Sequence, residues 1–302
     1  MEKRHRLNPK NDFIFGRLFG EEEAKDSLIG LLNAILGLER EHQIKDLILL
    51  ENNKELTKHL LEDKTGRLDI RAETLEGVQI DIEMQLNNYR NMPRRTLFYL
   101  SKMYVESIKA GDNYESLKKT ITINLTDFNL FEHNRFHSIY RFYEAHEAKF
   151  LLTDAMEVHF IEFPKFRRAA LNMNDALHRW LLFLEKNISE SLREELLYMD
   201  PIIRKTEERL IHLSSDEETL RLYEAREHAR IELNSLIADG EAIGIEKGIE
   251  KGIEKGIEKG IEKVASNMLG KGINPLLIAE VTGLEPDQLE QIAKKRAHPK
   301  QN

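Results

Sequence analysis

Apolar and polar positions change period several times along the chain, and each change marks an element. Between residues 11 and 37, Phe13, Leu18, Leu28, Leu31, Leu32 and Ile35 recur at helical spacing. Asn11 or Asp12 can cap the start, and Gly37 is a helix stop. The acidic run Glu21-Glu22-Glu23 predicts a break or an exposed turn inside that stretch. A short apolar run at Ile44 and 47–50 follows. Residues 67–85 then alternate with period two. Leu68, Ile70 and Ala72 fall on one side, opposite Arg67, Asp69, Arg71 and Glu73. Past a turn at Leu75-Glu76-Gly77, the residues Val78, Ile80, Ile82 and Met84 are apolar, and Gln79, Asp81, Glu83 and Gln85 are polar. The pattern predicts a β-hairpin with one buried face, with Gly77 in the left-handed position that ends a three-residue loop.

Further on, Leu97, Leu100, Tyr104 and Ile108 predict a helix over 93–109. The β-branched stretch 119–126 predicts a buried strand, and 136–143 and 156–163 predict two more. Helices are expected over 175–187, 190–198 and 203–212, with a long one from 216. Within that long helix lies an array of five Gly-Ile-Glu-Lys tetrads, from Gly244 to Lys263. Each glycine costs a helix about 1 kcal/mol relative to alanine. Four residues turn a helix by ~400°, so the isoleucines form a slanted stripe that drifts by ~40° per tetrad. The array is expected to be either a solvated spacer or a helix stabilised by a partner. Residues 264–297 then predict three short helices broken at Gly270–Gly272 and Thr282-Gly283, with the cadence of a helix-turn-helix and a basic end at Lys294, Lys295 and Arg296.

Composition narrows the function. The 302 residues suit two folded units, or one large domain with appendages. There is no cysteine, which excludes disulfides, a thiol nucleophile and thiolate-bound zinc, and which fits a cytoplasmic location. No stretch has the ~20 uncharged apolar residues needed to cross a bilayer, and the N-terminus does not read as a secretory signal. A net charge of −8 argues against non-specific coating of nucleic acid, so contact with DNA must rest on local positive patches or a metal ion. There is no Walker-type phosphate loop, dinucleotide fingerprint or GxSxG, so no small-molecule cofactor is expected. His133 and His137 lack a third ligand and read as a chance pair.

The hairpin carries the candidate chemistry. Positions 69 and 83 are equidistant from residue 76, so Asp69 is expected opposite or nearly opposite Glu83, on the face that also carries Asp81 and Gln85. Like charges facing one another across strands destabilise a sheet. Paired carboxylates suit a hard cation such as Mg²⁺. The plain alternative is a polar, solvated face with Arg67 and Arg71 offsetting the charge.

The order Asn11-Asp12-x-x-Phe15, Asp63-Lys64-x-x-Arg67-Leu68-Asp69-Ile70, Asp81-Ile82-Glu83-Met84-Gln85 resembles the PD-(D/E)XK nuclease superfamily. Within it, the chain resembles the bacterial Rpn family of recombination-promoting nucleases, also described as transposases. The Arg94-Arg95…Tyr99 helix, the Lys119–Asp127 strand, the tetrad array and the closing helices extend the likeness over nearly the whole chain. The resemblance implies an α/β, restriction-endonuclease-like mixed sheet flanked by helices, cutting DNA with Mg²⁺ (or Mn²⁺) to leave a 5′-phosphate and a 3′-hydroxyl. Carried over, Asp69 and Glu83 are the metal ligands. Gln85 stands where Lys is usual, and Asp12 stands where such folds often add an acid. Arg94, Arg95 and Lys102 are candidate phosphate contacts, and Tyr99 is either a lining residue or packing. The organisation expected is a nuclease-like domain over 1–215, a helical arm over 216–263 that could pair two subunits, and a helix-turn-helix-like segment over 264–302. An alternative is an inert core that binds DNA or protein through the C-terminal helices.

Overall fold

A computed structural model describes residues 6–50, 70–88 and 91–297. The expectations at Asp63, Lys64, Arg67, Leu68 and Asp69 lie outside the described residues. The chain forms two compact units, Met1–Glu227 and His228–Asn302.

In the first unit the N-terminal stretch divides where the acidic run predicts. Helix α1 (Asp12–Phe19) ends at Gly20, one 3₁₀ turn covers Glu22–Ala24, and α2 (Lys25–Leu36) follows. Asn11, not Asp12, is the cap of α1, its side chain accepting from the amides of Phe13 and Ile14. Gly37 closes α2 with φ of 63°, a conformation glycine adopts without steric cost.

The sheet has six strands in the order β1-β2-β3-β4-β6-β5. They are β1 (Leu47–Leu50), β2 (Ile70–Thr74), β3 (Gln79–Gln85), β4 (Thr120–Thr126), β5 (His137–Tyr143) and β6 (Leu151–Glu162). The β3–β4 and β4–β6 pairs are parallel and the other three antiparallel, which makes the mixed sheet expected of a restriction-endonuclease-like core. Helix α3 (Met92–Glu106) is the crossover between β3 and β4. After β6 come the single turn α4 (Phe163–Phe166), α5 (Ala176–Leu184), α6 (Glu190–Met199) and α7 (Pro201–Leu213).

One face of the sheet is apolar. Ile70, Ala72, Ile80, Ile82, Ile123 and Leu125 pack there with α1, α2 and α5 in the main core. The second face is covered by α3, so β3 is buried at every position from Gln79 to Met84. This corrects the expectation of a hairpin with one buried face. Parallel pairing to β4 places β3 in the middle of the sheet, where α3 closes over its polar side. The phase of α3 differs from the expected stripe for the same reason. Met92, Thr96, Leu100 and Met103 face inward, while Leu97 is exposed. The surface beneath is polar, so the helix turns Thr96 toward it to meet Asn124, the hydroxyl donating to Oδ1 at 3.0 Å.

Gly30 shows how tightly the helical layer closes. A Cβ there would lie 2.8 Å from the Trp180 ring and 3.1 Å from Ile202. Overpacking costs about 1–3 kcal/mol, against about 1 kcal/mol gained in helix propensity. Gly30→Ala is therefore expected to lower stability by about 1 kcal/mol, as net of those two effects. The only tryptophan of the chain sits at the contact, so its fluorescence reports the change in a denaturant titration.

The long helix α8 (Glu217–Gly270) runs through the tetrad array. In the second unit its end packs with α9 (Pro275–Thr282) and α10 (Pro286–Ala297) around Ala265, Ile278, Leu289 and Ile292. The first of the three predicted short helices is thus the end of α8. Asn274 caps α9, and Gly283 ends it with φ of 71°.

Candidate active site

The geometry of the polar face follows from pairing. Arg71 stands opposite Asp81, and Ile70 opposite Ile82. On the other side of β3, Asp81 lies beside Thr122, Glu83 beside Asn124 and Gln85 beside Thr126. Alternation puts Arg71, Gln79, Asp81, Glu83, Gln85, Thr122 and Asn124 on the face under α3. Asp81 and Glu83 are both buried, at 3% exposure each. The solvated polar face that the plain alternative requires is therefore absent here.

Glu83 is held from two sides. The Arg95 guanidinium reaches its Oε2 at 3.1 Å, and the Gln85 side-chain amide donates to the same oxygen at 3.0 Å. Arg95 is itself mostly buried and lies 5.9 Å from the Tyr99 ring centroid. For Asp81, burial and then the neighbouring Glu83 charge push the carboxyl well above the usual range, with Arg71 and Arg95 opposing. Two carboxylates this deep side by side favour a shared cation or a retained proton.

Among the described residues, four buried polar atoms on this face lack a hydrogen-bond partner: Arg71 Nε, Arg95 Nε, Gln79 Oε1 and Thr122 Oγ1. Buried groups of this kind are normally satisfied. Two of them are guanidinium donors, which suit an anionic oxygen. The carboxylates are hard oxygen donors, the type magnesium prefers. The residues present therefore fit a divalent ion and a phosphate, although among the described residues no three His, Asp or Glu side chains converge on one metal.

The other expected residues sit as follows. Asp12, in the first turn of α1, pairs with Arg226 at 3.1 Å. Arg94 is exposed on α3. Lys102 lies 4.0 Å from Glu106 one turn on. In the second unit, Lys294 pairs with Glu290, and Arg296 donates to the Ser266 carbonyl at 2.8 Å. Two of the three basic residues at the end of α10 thus have partners within their own unit.

The histidines form a chain that the spacing of His133 and His137 did not disclose. His137 Nε2 lies 2.9 Å from His159 Nδ1, and His159 Nε2 lies 2.6 Å from Glu157 Oε1. Arg141 donates to the other Glu157 oxygen at 2.7 Å. The signal available in sequence was the alternation of 156–163, which puts Glu157 and His159 on one face. Burial, and then the His159 charge, lower His137 to about 4. Glu157 sits at about 2, with burial opposed by its bonds to His159 and Arg141. Both groups titrate in the folded state below their ordinary values. Their contribution to stability is present above pH 6.5 and is lost as pH falls through about 4 and then about 2. His137→Gln is expected to flatten the fall of Tm between pH 6.5 and 4, as measured by thermal melts across that window.

A family model described as PD-(D/E)XK nuclease family transposase matches residues 9–240. The chain belongs to that family of nucleases. Comparison with curated proteins and with solved structures returns no match. Among the described residues, no helix is long and apolar enough to cross a membrane.

Proposed function

We propose that the chain is a cytoplasmic, divalent-metal-dependent DNA endonuclease of the Rpn type, serving recombination or mobile elements. The observation that carries this reading is Glu83, buried beneath α3 and gripped by Arg95 and Gln85 on a face with unsatisfied guanidinium donors. Asp69 and Glu83 would hold the ion, Mg²⁺ first and Mn²⁺ in its place. The reading is supported by the described ladder, whose pairs are equidistant from residue 76, as are positions 69 and 83. A divalent ion bound there supplies an acidified water and neutralises phosphate charge. Gln85 can orient a ligand or water but cannot lend the positive charge of a lysine. Arg95 holds Glu83 through Nη2 and offers Nε to a backbone phosphate, with Arg94 and Lys102 further along the same helix. Asp12 assists in placing metal or water once Arg226 releases it. Two copies, paired through α8, would bring two sites to two strands.

The test is cleavage of supercoiled plasmid with Mg²⁺, with and without EDTA. Wild type is expected to nick and linearise the plasmid only with free metal. Equal nicking by Asp69→Ala would remove the assigned site. DNA binding that needs no metal, survives Asp69→Ala and disappears on deletion of 264–302 would favour an inert core acting through its tail.

A further inference from the structure

We infer that the tetrad array pairs with the array of a second copy of this chain in parallel orientation, isoleucines of one helix seated over glycines of the other. The array lies within α8, in the second unit. Its apolar side is unpartnered: Ile245 is 64% exposed, and Ile249, Ile253 and Ile257 are each 59% exposed. A Cβ built at any of Gly240, Gly244, Gly248, Gly252, Gly256 or Gly260 would meet nothing within 4 Å. Among the described residues no fold contact therefore uses these glycines, although each weakens the helix that contains it.

Helix geometry decides the partner and its direction. Each residue turns the helix by ~100°, so the tetrad writes four rows around it in the order Gly, Ile, Glu, Lys. On the apolar side the Gly row and the Ile row are neighbours. The Lys row flanks the glycines, and the Glu row flanks the isoleucines. A twofold axis parallel to the helices brings the Gly row of one copy against the Ile row of the other, and Lys against Glu. A twofold axis perpendicular to the helices brings Gly against Gly, Ile against Ile, and like charge against like charge. Shape and charge therefore both select the parallel pair. The array has five Glu and five Lys, so copies do not repel there despite the net charge of −8 on each chain. Rows spaced by four residues interdigitate at a crossing angle of about −50°.

This inference rests on the pairing proposed above, and two readouts separate them. Light scattering of the full chain reports whether it pairs, and crosslinking reports direction. With no native cysteine, Ile249→Cys and Ile257→Cys each give one thiol per chain. With a short bis-maleimide, each variant alone is expected to yield covalent dimer. Dimer appearing only when the two variants are mixed would establish antiparallel packing and overturn the inference. A monomer at tens of micromolar would overturn the pairing itself. Gly248→Leu with Gly252→Leu fills the hollows while raising helix propensity, so loss of pairing cannot be blamed on unfolding. The expected result is self-association weakened at least about tenfold. Unchanged association would place the contact elsewhere and sink the inference.

Discussion

Glu83→Gln is expected to reduce metal-dependent DNA cleavage about a thousandfold while leaving the fold intact. A bound divalent ion contributes several kcal/mol of charge stabilisation to phosphate chemistry, and each 1.36 kcal/mol is a factor of ten in rate. The amide keeps the shape of the carboxylate and still accepts from Arg95 and Gln85, so the hydrogen-bond frame survives. It loses the charge that attracts a cation and relieves the repulsion felt by Asp81. The thermal melt of the metal-free variant should therefore match or exceed that of wild type. A cleavage rate within tenfold of wild type would show that Glu83 does not serve the reaction. Loss of cleavage together with a collapsed melting transition would leave only a structural role.

The second large effect is on stability. Lys165 and Glu162 form an ion pair one turn apart at the junction of β6 and α4, both nearly inaccessible to solvent. Glu162 also accepts from the amides of Leu130 and Phe131, and Lys165 donates to the Phe131 carbonyl at 2.8 Å. The pair thus anchors the segment after β4 that carries Phe128, Leu130 and Phe131 onto the α3 side of the sheet. Lys165→Met strands Glu162 in the interior with two amide donors and no cation. Removing one partner of such a pair costs about 3–5 kcal/mol, on the order of 10 °C in Tm for a unit of this size. Adding Glu162→Gln to Lys165→Met should recover part of the loss, because the uncompensated charge is then gone. A double variant no more stable than Lys165→Met would mean that packing, not charge, sets the cost.

Much of this was legible in the sequence because period and charge are local. Alternation from 67 to 85 predicts the hairpin, and its symmetry about residue 76 predicts the register that the Arg71–Asp81 pair displays. The helix breaks at Glu21–Glu23 and the stops at Gly37 and Gly283 follow from residue chemistry alone. What stayed hidden depends on contacts between distant segments. A polar strand face looks the same in sequence whether it meets water or a helix. The burial of Asp81 and Glu83 appears only once β3 pairs with β4 and α3 crosses above them. The inward turn of Thr96 and Arg95 is set by Asn124 and Glu83, not by the apolar stripe Leu97, Leu100, Tyr104 and Ile108. The chain from His137 through His159 to Glu157 joins two strands, whereas the sequence offered only the pair His133 and His137, which reads as chance. The tetrad array was legible as a helix with a slanted stripe, and its exposed isoleucines are where the structure adds weight.

The most direct measurement is the thermal melt of the purified chain, without DNA, across a millimolar titration of Mg²⁺ or Mn²⁺. An ion that binds only the folded state must raise Tm with concentration. Such a rise is expected for wild type, with its loss in both Asp69→Asn and Glu83→Gln and its retention in Arg94→Ala. An equal rise in wild type and both carboxylate variants, or none in wild type, would contradict the claim that these two side chains share a metal ion.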